Sequence, residues 1–81
     1  MTKRQINKIK KILNMSNQEN LKNDIKICEE FYFLKKESSF LREKAPIYRE
    51  YFQDILHIAG LPSASMDTNE IINTIKEAFN A

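Results

Sequence analysis

KAPIYREYFQDILHIAGLP, residues 44–62, is the stretch whose reading decides the fold. Between Pro46 and Gly60 it places Ile47, Tyr48, Tyr51, Phe52, Ile55, Leu56, Ile58 and Ala59 on one half of a helical wheel, leaving Arg49, Glu50, Gln53, Asp54 and His57 on the other. That spacing predicts the core helix of a small helical domain, over about 46–59. Pro46 suits a first helical turn, where its missing N–H costs nothing. Gly60, Leu61 and Pro62 supply a left-handed end, an apolar partner for the last turn and a stop.

Working back from it, residues 3–14 (KRQINKIKKILN) separate Ile6, Ile9, Ile12 and Leu13 from Lys3, Arg4, Lys8, Lys10 and Lys11, which makes a cationic amphipathic helix. Ser16 with Glu19 fits a capping box and starts a second helix near Asn17. Its apolar positions, Leu21, Ile25, Cys28 and Tyr32 with Ile27, Phe31 and Leu34 beside them, cover about half the circumference and predict contact with two neighbours. Two ends are open: a break at Ser38-Ser39, or continuation to Lys44, the favoured reading, until Pro46 restricts Ala45. A continuous helix sets Phe33 and Phe40 on one exposed line seven residues apart, a contact surface. Forward of the core helix, Asp67 with Glu70 starts a last helix over 68–79, carried by Ile71, Ile72, Ile75, Ala78 and Phe79.

The fold class expected is therefore all-α: a bundle of three to four helices (about 3–14, 17–44 or its broken form, 46–59 and 68–79) in one domain spanning 1–81, completed by dimerisation. Eighty-one residues sit at the size where one core only just offsets the entropy of ordering the chain. With 42% hydrophobic and 30% charged residues, the composition is that of a folded chain. One Gly, two Pro and no Val argue against a many-stranded β fold. No apolar run approaches the ~18 to 20 residues of a membrane span, and the basic N-terminus lacks a signal peptide's apolar block. A whole, mature, cytoplasmic chain without membrane contact is expected. The wealth of Lys, Asn and Ile is associated with AT-rich genomes of bacteria, phages and plasmids.

No residue pattern predicts catalysis, a cofactor or a metal. His57 stands alone in the polar arc beside Asp54, without the third ligand of a zinc site, and reads as a solvated side chain. Cys28 lies on the apolar stripe and reads as a buried, inert thiol. Glu29 and Glu30 are sequential, so they point apart, and a single glycine leaves no phosphate-binding loop. A helix-turn-helix fails at both candidate turns. Around Met15, Lys10 occupies the small position and Asn20 and Asn23 fall where apolar residues belong; around Gly60, Leu56 is too large.

What the sequence does show is a surplus. Phe31, Tyr32, Phe33, Phe40, Tyr48, Tyr51 and Phe52 crowd seven aromatics into 22 residues, more large apolar area than one short bundle needs. A symmetric pair through the second and core helices would cover it. The function expected is that of a non-enzymatic protein–protein interaction module, a homodimer that binds and inhibits or modulates a larger host or defence protein, from a phage or other mobile element. Its expected partner or dimer interface is Phe33, Phe40, Tyr48, Tyr51 and Phe52, with Arg49 adding an interface-favoured residue type. The alternative is a nucleic-acid-binding regulator using the basic surface Lys3, Arg4, Lys8, Lys10 and Lys11, since the first eleven residues carry +5 and the chain after Gly60 carries −2. Architecture and charge also resemble the small helical immunity proteins of bacteriocin producers, a likeness of shape that implies a toxin-binding role and rests on no motif.

Overall fold

The helices of this protein, described for residues 1–81 by a computed structural model, are set by their caps. Thr2 opens α1 (Lys3–Leu13) with a full capping box: its hydroxyl accepts from the Gln5 N–H at 3.2 Å and the Gln5 side chain accepts from the Thr2 N–H at 3.0 Å. Asn17, rather than Ser16, caps α2 by accepting from Glu19 and Asn20 N–H groups at 3.0 and 3.1 Å. The expected Ser16 cap thus shifts by one residue, because asparagine caps as well as serine. Ser16 is used elsewhere, as described below. α2 runs Gln18–Cys28 and then widens into a π turn over Glu29–Phe33.

The continuous second helix does not form. The Leu34 N–H bonds back to Glu29 and the Lys36 N–H to Glu30, both at 3.0 Å, and Lys35 between them takes a left-handed φ of +55°. These bonds satisfy carbonyls at the helix end and turn the chain away. Ser38 then accepts from the Leu41 N–H at 3.0 Å and caps α3, which runs unbroken over Ser39–Ile58. The core helix therefore starts seven residues before Pro46, and Pro46 is inside it, not in its first turn. Its ring forfeits one main-chain bond, but it sits on the exposed side, where water reaches the freed carbonyl.

A lysine at a left-handed position costs energy that glycine would not. Lys35→Gly is expected to raise stability by about 0.5–1 kcal/mol in urea melts, while the same change at exposed Lys22, inside α2, lowers it by a similar amount.

The far end of α3 closes as its residues predict. Gly60 has φ +88°, its N–H reaches the His57 carbonyl, the Leu61 N–H reaches Leu56, and Leu61 tucks into the core. A 3-10 turn over Ser63–Ser65 leads to Asp67, which caps α4 (Thr68–Asn80) by accepting from the Glu70 N–H at 2.9 Å.

The chain is all-α, four helices without a strand. α3 touches all the others, α2 and α4 most, while α1 lies chiefly on α4. One cluster of 14 buried residues joins them: Ile9 and Leu13 from α1, Leu21, Ile25 and Cys28 from α2, Phe52, Ile55 and Leu56 from α3, and Ile71, Ile72, Ile75 and Ala78 from α4, with Ala59 and Leu61. The body measures 37 × 28 × 17 Å, so along its thin direction it is only about two helices deep, given 8–10 Å between packed axes. No helix is long and apolar enough to cross a membrane.

Candidate interaction surface

α3 carries more apolar residues than one face can hold. Leu41, Ala45, Phe52, Ile55 and Leu56 turn inward and are buried. Phe40 (56% exposed), Ile47 (56%), Tyr51 (40%) and Ile58 (70%) do not. At 100° per residue these four fall within about 40° of one another, on a line about 27 Å long at 1.5 Å per residue. Four large apolar side chains in register along one helix edge form a stripe and not a scatter of single exposures.

The edge is held in place from behind. Arg49 Nε donates to Thr68 Oγ1 at 2.7 Å and its terminal nitrogen to Gln53 Oε1 at 3.3 Å, while Gln53 Nε2 donates to the Ser63 carbonyl at 2.9 Å. This network locks α3 to the turn before α4. Arg49 is thereby committed inside the fold and does not serve an interface. On the other side, Tyr51 Oη and Ser16 Oγ share a hydrogen bond at 3.1 Å, which brings the α1–α2 turn against the stripe. Next to Ser16 in that turn, Met15 is 85% exposed.

The expected interface residues therefore part company. Phe40 and Tyr51 are on the stripe. Phe33 is half-buried against the core, and the break at 34–38 removes it from the line it was expected to share with Phe40. Tyr48 is half-buried beside Asp24. Desolvation, then the Asp24 charge, push its phenol up, while burial raises the Asp24 carboxyl and the Tyr48 hydroxyl partly lowers it. Phe52 is wholly buried, with its ring 5.8 Å from that of Tyr51, and belongs to the core and to no contact surface. Ile47 and Ile58, assigned by the sequence to the core-facing half, are the members missed. The signal was the spacing 40, 47, 51, 58, which becomes visible only once α3 is known to start at Ser39.

The basic residues divide too. Lys3, Arg4, Lys8 and Lys11, with Asn7, line an open, shallow cleft along α1. Lys10 points elsewhere and donates to the main-chain oxygen of Ala81 at 2.7 Å, holding α1 to the end of α4. The two ion pairs, Lys76–Glu29 at 2.7 Å and Lys36–Glu30 at 3.7 Å, involve none of the four cations of the cleft, which stay uncompensated.

Elsewhere, His57 and Asp54 are both exposed on α3, and no three side chains among His, Cys, Asp and Glu are grouped as a metal would need. Cys28 is fully buried with Sγ 3.7 Å from the Ala45 carbonyl oxygen, and burial, then the charges of Asp24 and Glu29, push its thiol up to about 12. Such a thiol is a poor nucleophile.

Comparison of the chain with protein-family models, with curated proteins and with solved structures found no match.

Proposed function

We propose that this protein is a protein-contact module whose contact surface is the outer edge of α3, and that it modulates a larger protein. The observation that supports this reading is the aligned exposure of Phe40, Ile47, Tyr51 and Ile58. Full burial of a large apolar side chain is worth roughly 1.5–3 kcal/mol, and these four, 40–70% exposed, each forgo about half of that. A small fold that keeps four in one line keeps them for a contact. The surface is long, narrow and helical, suited to another helix laid alongside it. The role that fits a small module of this composition is that of an accessory protein of a bacterium, phage or plasmid, inhibiting or modulating a host or defence factor by occupying its surface.

The uncompensated cations of the α1 cleft favour a second reading, contact with nucleic acid phosphates. One comparison separates the two. A photo-crosslinking residue at Ile47 is expected to form protein adducts that a reporter at exposed Asn69 does not, and that Ile58→Ser reduces at least about fivefold with the helical ellipticity unchanged. Binding to a short DNA duplex is expected to stay weak at ~50 mM salt. Duplex binding that falls steeply between ~50 and ~200 mM salt and vanishes in Lys8→Glu/Lys11→Glu, with no adduct at Ile47, overturns the proposal in favour of the second reading.

A further inference from the structure

The stripe is not the whole pattern on this edge of α3. Filling in the residues that share it gives Phe40, Lys44, Ile47, Tyr51, Asp54 and Ile58, an unbroken alternation of steps of four and three. That is the seam of a two-helix coiled coil, with two charged members among four apolar ones. The charges are Lys44 near one end and Asp54 near the other. Neither takes part in an ion pair of the fold, and ten residues of helix, about 15 Å, keep them from each other.

The six positions are symmetric about Arg49. Phe40 and Ile58 are equally far from it, as are Lys44 and Asp54, and Ile47 and Tyr51. We infer that the stripe is covered by the α3 stripe of a second copy, antiparallel, with the two-fold axis at Arg49. In that register Phe40 meets Ile58 of the other copy, Ile47 meets Tyr51, and each Lys44 meets an Asp54. Every apolar residue then has an apolar partner and every charge an opposite one. The parallel pairing sets Lys44 on Lys44 and Asp54 on Asp54, so the charges select orientation as buried polar residues in a seam do. The fold permits the approach, because Phe40, Ile47, Tyr51, Asp54 and Ile58 are exposed and Lys44 between them is half-exposed.

This arrangement also contains a repulsion. Glu43, Glu50 and His57 follow one another at seven-residue steps along the solvent side of the seam, all exposed. Antiparallel pairing about Arg49 brings Glu50 close to its own copy, and Glu43 close to His57. Removing the Glu50 charge is therefore expected to tighten the pair, an effect that general stickiness of the stripe does not produce.

The inference rests on the reading of α3 as a protein-contact surface, and the test separates the two. Sedimentation velocity from ~1 to ~200 µM is run on the wild type, Lys44→Glu, Asp54→Lys, the double exchange Lys44→Glu/Asp54→Lys, Glu50→Gln and Ile47→Ser. The wild type is expected to be a reversible dimer. Each single charge reversal occurs twice in the symmetric pair and is expected to raise Kd at least about tenfold, the double exchange to return it to within about threefold of wild type, and Glu50→Gln to lower it. Ile47→Ser is expected to raise Kd as the charge reversals do. If the double exchange dissociates as fully as the singles, or none of the charge changes moves Kd while Ile47→Ser does, the register is wrong and the contact surface stands. If the wild type is monomeric throughout, the second copy is overturned, and crosslinking at Ile47 decides whether another protein takes its place. A dimer unmoved by Ile47→Ser refutes both the inference and the use of the stripe.

Discussion

Phe52→Ala is expected to lose about 3–5 kcal/mol of stability, the range for emptying a buried aromatic site. The phenyl ring is wholly buried at the centre of the 14-residue cluster, where α3 faces the other helices. A domain of 81 residues has roughly 4–12 kcal/mol in all, at 0.05–0.15 kcal/mol per residue. The loss is therefore at least about a quarter of the whole. Its neighbour is the control. Tyr51→Ala removes a partly exposed ring and one hydrogen bond to Ser16 and is expected to cost the monomer about 1 kcal/mol or less. Urea melts followed by far-UV circular dichroism at low protein concentration measure both. Equal losses at 51 and 52 would mean that α3 is rotated from the orientation described.

The other large effect is an alkaline limit set by Cys28. An unfolded thiol ionises near 9.0, whereas in the fold burial, then Asp24 and Glu29, hold the proton until about pH 12. Between those values the unfolded chain has released a proton that the folded chain still keeps. The unfolded state thus binds fewer protons, and stability falls as pH rises. The group has no effect on the pH dependence below pH 9, and above it the loss approaches about 1.4 kcal/mol per pH unit. Tyr32 and Tyr48, both raised chiefly by desolvation, add to the fall once the pH passes the ordinary phenol value of 10.0. Cys28→Ala should start slightly less stable at pH 7 and show a shallower decline between pH 9 and 10. Urea midpoints at pH 7, 9, 10 and 11 check this, and a wild-type curve parallel to that of Cys28→Ala would refute it.

The elements most legible in the sequence are those whose signals are local. Asp67 before an isoleucine repeat, and Gly60-Leu61-Pro62 after one, each fix a helix end through bonds within a few residues. The break before α3 was harder to read, because it depends on which of two competing signals wins. Ser38 offers a cap and Pro46 a plausible first turn; the cap prevails because the chain from Ser39 gains Leu41 and Ala45 as buried residues, which offsets an interior proline on the wet side. The π turn at Glu29–Phe33 adds a second obstacle. A widened turn advances each residue by less than 100°, so the faces of Phe31 and Phe33 slip relative to a regular wheel. The contact surface suffered most from the missed start. With α3 begun at Pro46, Ile47 and Ile58 merge into the core stripe; with it begun at Ser39, they separate into a second stripe with Phe40 and Tyr51. Phe52 was misassigned for the complementary reason, since aromatic crowding alone does not say which ring faces inward.

Cys28 is the only sulfhydryl in the chain, and it sits where the regular part of α2 gives way to the π turn. A thiol reagent dissolved in the buffer therefore meets no target until the protein opens at that junction, and each derivatised molecule records one opening. Its labelling rate is a counter of native-state fluctuations that needs no added dye or engineered residue. Dependence of that rate on urea distinguishes a fraying of residues 29–38, which exposes little new surface, from opening of the whole bundle, which exposes much. The fold thus contains its own gauge of which part gives way first.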